Sequence, residues 1–371
     1  LKHRKKAYLG FLSGGLGLLF ALLNLGTTHA EGPKPPLKVG FILVGPANDL
    51  GWNTSHDQGR KYLESQMHGS VITTVAEKIP ENEQVERIME RMIAQGNMII
   101  FGTSYGYFEP AVKVAARHPD VHFLLCGRLI PKAPKNVGSC FARYYDPLYA
   151  LGIVAGKLTK TNSIGFVLGH PVPNLLWCAN ALTLGARSVN PKAVVHVVWT
   201  NSWDDPATEA EATRGLIERG NDIIASNMDS SITVSKTCEK GNALSIGTHY
   251  DINQFVPNAW LGGQHWNWGP LYLRSVKTIQ DGTWKPGNLS CTLQDGYVQM
   301  STFGKVVPKG LQSEALAVFE QIKDGKKTVF EGPLSDRDGK LRLAKGQKGD
   351  AAWLDQMDWF VPGVEGTLPK K

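Results

Sequence analysis

The chain has 371 residues, 42% of them hydrophobic and 20% charged, with a formal net charge of +7. Lys2, Arg4, Lys5 and Lys6 supply four of those charges, and elsewhere Lys and Arg are interspersed with Asp and Glu. No basic stripe is left to track a phosphate backbone, so nucleic acid is not expected as a partner.

The basic start leads into an apolar run over residues 9–25 and then Thr28-His29-Ala30, small at the two positions a signal peptidase reads. Residues 1–30 are expected to be a cleaved signal peptide, which places the mature protein in the periplasm. No Cys adjoins the cleavage point, so no lipid anchor is expected there. The length beyond the signal suggests two domains. The cysteines are Cys126, Cys140, Cys178, Cys238 and Cys291, without CxxC spacing. Export permits a disulfide joining Cys126 and Cys140 on neighbouring strands; buried free thiols fit equally well.

In chain order, 31–36 (EGPKPP) reads as an extended leader. Residues 39–44 (VGFILV) form a short apolar run ending at Gly45-Pro46, as expected of a strand buried on both faces of a parallel sheet. A polar loop with Asp49, Trp52 and Asn53 follows, and a helix capped by a hydroxyl is predicted to begin near Thr54 or Ser55. Residues 71–75 read as a second strand. Val85, Ile88, Met89, Met92 and Ile93 recur at helical spacing before Gly96. Strands are then expected at 97–101, 121–125 and 141–145. The second half repeats the alternation, with strands at 164–168, 193–199, 223–226, 243–246 and 260–263. Helices are predicted over 177–186, 209–219 and 270–280, with a last strand at 330–334 and an apolar segment at 354–361 packing back. AQGNMIIFGTS from Ala94 and ERGNDIIASNM from Glu218 echo one another, once in each half, which favours two similar α/β lobes.

No HExxH, P-loop or CxxC pattern occurs after the leader, and neither catalysis, a metal nor a cofactor is expected. Aromatic residues instead gather after strands: Trp52, Tyr105 and Tyr107 in the first half, Trp203 in the second, and Trp266 and Trp268 later. Packing accounts for some of these rings. A planar ligand held between aromatic faces accounts for their placing, with Asp49, Asn53, Asn227, Asp229 and Asp251 reading its edges.

The run Gly45-Pro46…Asp49…Gly51-Trp52-Asn53…His56-Asp57-Gln58-Gly59 resembles the start of the BMP (basic membrane protein) substrate-binding proteins of ABC transporters. The resemblance continues through residues 102–107 (GTSYGY), 201–206 (NSWDDP), Asn227-Met228-Asp229-Ser230 and Trp268-Gly269-Pro270. It implies a type I periplasmic-binding-protein fold, an α/β architecture of two Rossmann-like lobes with a hinge crossed three times and a purine in the cleft. Lobe 1 would span 37–146 and about 249–284, lobe 2 about 147–248 and 285–335, leaving 336–371 as a C-terminal extension. By position, Trp52 and Tyr105 would be ring contacts, Asp49 and Asn53 polar contacts, and Asp229 and Asp251 would face them. Trp177 would be the opposing stack, with Trp203, Asn227 and Trp266 completing the set.

Nucleoside-binding members carry a Lys for the ribose where this chain has Gln264-His265-Trp266-Asn267-Trp268. Indoles filling the sugar space point to a free base, adenine above all. The resemblance further implies a monomer that delivers its ligand to a membrane permease. A nucleoside, urate or another solute, a sensory role, and an exported purine-processing enzyme are the alternatives.

Overall fold

A computed structural model describes residues 35–368 except Pro131 and Ser290; the expected signal peptide lies outside the described residues. Two largely parallel sheets form its frame. From edge to edge, the first runs Gly287–Asn288, Val137–Cys140, His122–Cys126, Asn97–Gly102, Leu37–Ile42 and Val71–Ala76. The second runs Val298–Met300, Trp260–Trp266, Leu244–Gly247, Ile223–Asn227, Ser163–Leu168, Val194–Trp199 and Val364–Glu365, with only Val298–Met300 antiparallel. The central strands are apolar and buried on both faces, as in Val39, Phe41 and Ile42 of the first and Ile164, Phe166 and Leu168 of the second.

In chain order within each lobe, both sheets place their strands second–first–third–fourth–fifth, an order whose ligand crevice opens at the carboxyl ends of the strands. The two echoed segments become the third strands, Asn97–Gly102 and Ile223–Asn227, each beside the first strand of its own sheet. The repeat is therefore a repeat of architecture.

The chain passes between sheets three times: at 141–145, after Trp266, and between Asn288 and Val298. Residues 141–145, expected as a strand, form the first crossing, and the helix Asp146–Leu158 follows directly. The expected return to lobe 1 near 249 comes later. Trp260–Trp266 pairs with Leu244–Gly247 and stays in the second sheet, because its Gly262 and Gly263 extend a ladder only a short loop away. The helix Gly269–Gln280 then packs on Trp52–Met67 of lobe 1. The return to lobe 2 likewise comes after Asn288, not at 285. The tail is no separate appendage: Val364–Glu365 pairs with Val194–Trp199, and Ala351–Asp355 packs on the helix Pro173–Val189. The last strand expected at 330–334 reduces to Leu334–Ser335, paired with Leu341–Leu343.

The disulfide joins Cys140 to Cys291, tying the first crossing to the third; Cys126 stays a buried thiol beside Cys140 in the ladder, as do Cys178 and Cys238 elsewhere. Behind the first strand an aromatic block fills lobe 1. Phe41 stacks on Phe101 at 4.7 Å, Tyr272 meets both rings, and His56, Trp268 and Trp266 continue the pile.

Candidate functional site

The loop after the first strand is organised by one carboxylate. Asp49 accepts from the backbone N–H groups of Gly51, Asn53 and Thr54 at 2.8–3.0 Å. These donors would otherwise be orphaned at a helix start, so the helix begins at Trp52 rather than at the predicted hydroxyl. Asn53, fully buried, donates its amide to Asp49 at 2.8 Å and to Asp229 of the other lobe at 3.4 Å. Its oxygen accepts from Gly45. Asp49 and Asn53 thus shape the loop and do not line the cleft.

Trp52 is fixed from several sides. Its indole N–H donates to the Thr103 carbonyl at 2.6 Å, and its ring takes edge contacts from His56, His249, Trp266 and Trp268. Its backbone N–H donates to the Asp229 carbonyl at 2.6 Å. Here the lobes touch main chain to main chain: a Cβ on Gly51 would lie 1.8 Å from the Asp229 carbonyl oxygen, so only glycine allows the approach.

Between the lobes lies a slot of about 380 Å³ including its mouth. Lobe 1 lines it with Trp52, Ser104, Tyr105 and Gly127, the first crossing with Phe141 and Tyr144, and lobe 2 with Asn174, Leu175, Trp203, Asn227, Asp229 and His249. Apart from the crossing residues, most stand just beyond the carboxyl end of a strand.

The polar groups of lobe 2 have distinct states. Burial, reinforced by the charges of Asp49, Asp204 and Glu81, pushes the Asp229 carboxyl well above the ordinary range, so a neutral acid is favoured. Asn227 donates to the Tyr144 hydroxyl at 3.3 Å. His249 holds a left-handed backbone with φ of 75°. Its Nδ1 accepts from the Trp266 indole at 3.0 Å, and burial lowers the imidazole to about 3. The ring is therefore neutral with its proton on Nε2. Trp203 donates to Glu81 across the lobes at 3.3 Å, at the mouth of the slot.

Of the residues singled out from sequence, Trp52, Tyr105, Trp203, Asn227 and Asp229 meet at the slot. Trp266 stands behind it, holding His249 and stacking on Trp268 at 4.5 Å. Trp177 faces a smaller adjoining hollow of about 210 Å³ and donates its indole N–H to the Leu354 carbonyl at 2.6 Å, tying down the tail. Phe141 and Tyr144 supply the rings expected of it. Asp251 is displaced further, lining an outer groove where its carboxylate accepts from Asn253 and Thr302. Sequence reasoning missed Phe141, Tyr144, Asn174 and His249. The signal for the first two was the aromatic cluster of residues 141–145 (FARYY), read as a strand.

Residues 37–336 match the family profile described as Bmp, ABC transporter substrate-binding protein PnrA-like. A purine-binding protein of Brucella abortus is 37% identical over 345 residues, 93% of this chain and 97% of that protein. The chain belongs to the Bmp family. A Haloferax volcanii protein named for ABC transporter glucose binding is 31% identical over 349 residues, 93% of this chain and 85% of that one. An Aeropyrum pernix solute-binding protein structure superposes with a TM-score of 0.68 at 16% identity, over 78% of this chain and 92% of that one. One from Conexibacter woesei gives 0.63 at 22% identity, covering 78% and 97%. The fold is the type I periplasmic-binding-protein fold. The chain is an ABC transporter substrate-binding protein of the Bmp family; such proteins bind small ligands, work with a membrane permease and are typically extracytoplasmic. Among the described residues no helix is long and apolar enough to cross a membrane.

Proposed function

We propose that this Bmp-family protein binds a purine nucleobase, adenine above all, between its lobes in the periplasm and presents the closed form to the membrane permease of an ABC importer. The observation that carries the reading is the slot walled by Trp52, Tyr105, Phe141, Tyr144 and Trp203, with polar groups concentrated on lobe 2. Flat rings fill such a space with little conformational cost. A sugar would need room that the pile of Trp266 and Trp268 behind Trp52 occupies.

The state of Asp229 favours adenine within the purines. A neutral carboxyl offers one donor beside one acceptor, complementary to an amine beside a ring nitrogen. An ionised carboxylate offers acceptors alone and would suit guanine's two adjacent donors. The purine-binding name of the Brucella abortus relative supports the same class. Closure brings Trp52 and Asp229 against the ligand from opposite lobes, so binding shifts the population towards the closed form.

A thermal-shift screen of refolded, ligand-free protein tests this against adenine, guanine, hypoxanthine, xanthine, urate and their nucleosides. A ligand that binds only the native state at a hundredfold excess over its dissociation constant adds about 2.7 kcal/mol of stability. Adenine should give the largest shift and adenosine none. A larger shift with nucleosides would overturn the free-base assignment, and none with any purine would overturn the ligand class.

A further inference from the structure

Asn174 is the second residue of the helix Pro173–Val189 and sits where the slot opens into the smaller hollow beside it. It is 9% exposed, yet its Oδ1 is buried without a hydrogen-bond partner. Among the described residues lining the slot, no other buried side-chain oxygen or nitrogen is left in this condition. Such an atom costs stability unless something supplies a proton to it.

Behind it, the Tyr144 hydroxyl accepts from Asn227 at 3.3 Å and lies 3.4 Å from the backbone carbonyl of Asn174, to which it can donate. Oδ1 is the unpartnered end of the Asn174 amide. Arg128, the nearest cation in the smaller hollow, is drawn away by Glu109 at 3.3 Å and lies over the Tyr105 and Phe108 rings.

We propose that Asn174 determines specificity by accepting, at Oδ1, a hydrogen bond from an N–H of the bound base. This rests on the nucleobase reading of the slot. A base presenting a lone pair at that point leaves two acceptors face to face and is rejected, whereas a base with an amine or ring N–H there satisfies the orphan. Sites that hydrogen-bond a ligand group discriminate strongly against analogues lacking it, because the site's own group is then stranded.

The test is calorimetric titration of wild type and Asn174→Leu with adenine, with purine (which lacks the C6 amine) and with 9-methyladenine (which lacks the N9 hydrogen). In wild type, at least one analogue should bind on the order of tenfold or more weaker than adenine. In Asn174→Leu that gap should shrink to about twofold or less, since no stranded acceptor remains. Asn174→Ser, too short to reach the ligand, gives the same readout should the Leu variant fail to fold. An unchanged gap in the variants, or no gap in wild type, overturns the role of Asn174. Failure of wild type to bind any of the three probes instead sinks the nucleobase reading itself.

Discussion

The two lobes meet the slot with different materials. Lobe 1 offers Trp52 with every polar hydrogen committed and its ring braced by four others, a finished wall with no hydrogen-bonding capacity to spare. Lobe 2 offers Asn174, whose Oδ1 has no partner, together with Asn227 and the raised carboxyl of Asp229. The same strand order built both, so the difference lies in the side chains at the strand ends and helix starts. On the proposed function, one lobe would read thickness and the other hydrogen-bond pattern, and only closure would combine them.

The largest effect should come from removing the finished wall. Trp52→Ala should weaken adenine binding on the order of a hundredfold, about 2.7 kcal/mol. It should also cost about 3–5 kcal/mol of stability through the cavity left beneath Trp266 and Trp268. Titration and denaturant unfolding measure the two separately; wild-type affinity in a folded variant would break the division between the lobes.

A smaller effect is expected on the polar side. Asp229→Asn keeps the shape and should lose about tenfold in affinity, since the amide imitates one face of the acid. It also carries a pH signature. Because burial raises Asp229, the ligand-free folded state keeps a proton that the unfolded chain has already released. Its contribution to stability is full below the ordinary aspartate range and is lost as pH rises through the raised value. Between about pH 5 and pH 8 the ligand-free Tm of wild type should therefore fall further than that of Asp229→Asn. Parallel melting curves would show that the carboxyl is ionised in the fold. The smallest effect is expected at Trp177, which belongs to neither wall. Trp177→Phe should leave affinity within about twofold while costing about 1 kcal/mol of stability through the lost bond to Leu354.

The frame of both lobes was legible because buried parallel strands announce themselves as short apolar runs, as at 39–44 and 164–168. Which sheet a strand joins was not. Trp260–Trp266 reads like any other strand, and its place follows from pairing with Leu244–Gly247 on one side and Val298–Met300 on the other. Asp229 and Asp251 look alike in sequence, each a few residues past a strand. They are separated by Thr302, which arrives from half a hundred residues later to occupy Asp251. Trp177 was misread for a similar reason: its partner Leu354 lies 177 residues away. The disulfide spans 151 residues and left no local trace. Contacts of that range have no periodicity to betray them.

Gly51 makes the bite of the molecule a fixed dimension. Because its α-carbon meets the Asp229 carbonyl with no side chain between, the lobes come to rest on peptide units, which neither compress nor change rotamer. On the proposed function, the cleft is a calliper with a hard stop: it would sort what enters by thickness before any hydrogen bond is formed, and a single methyl group at this position would reset the gauge.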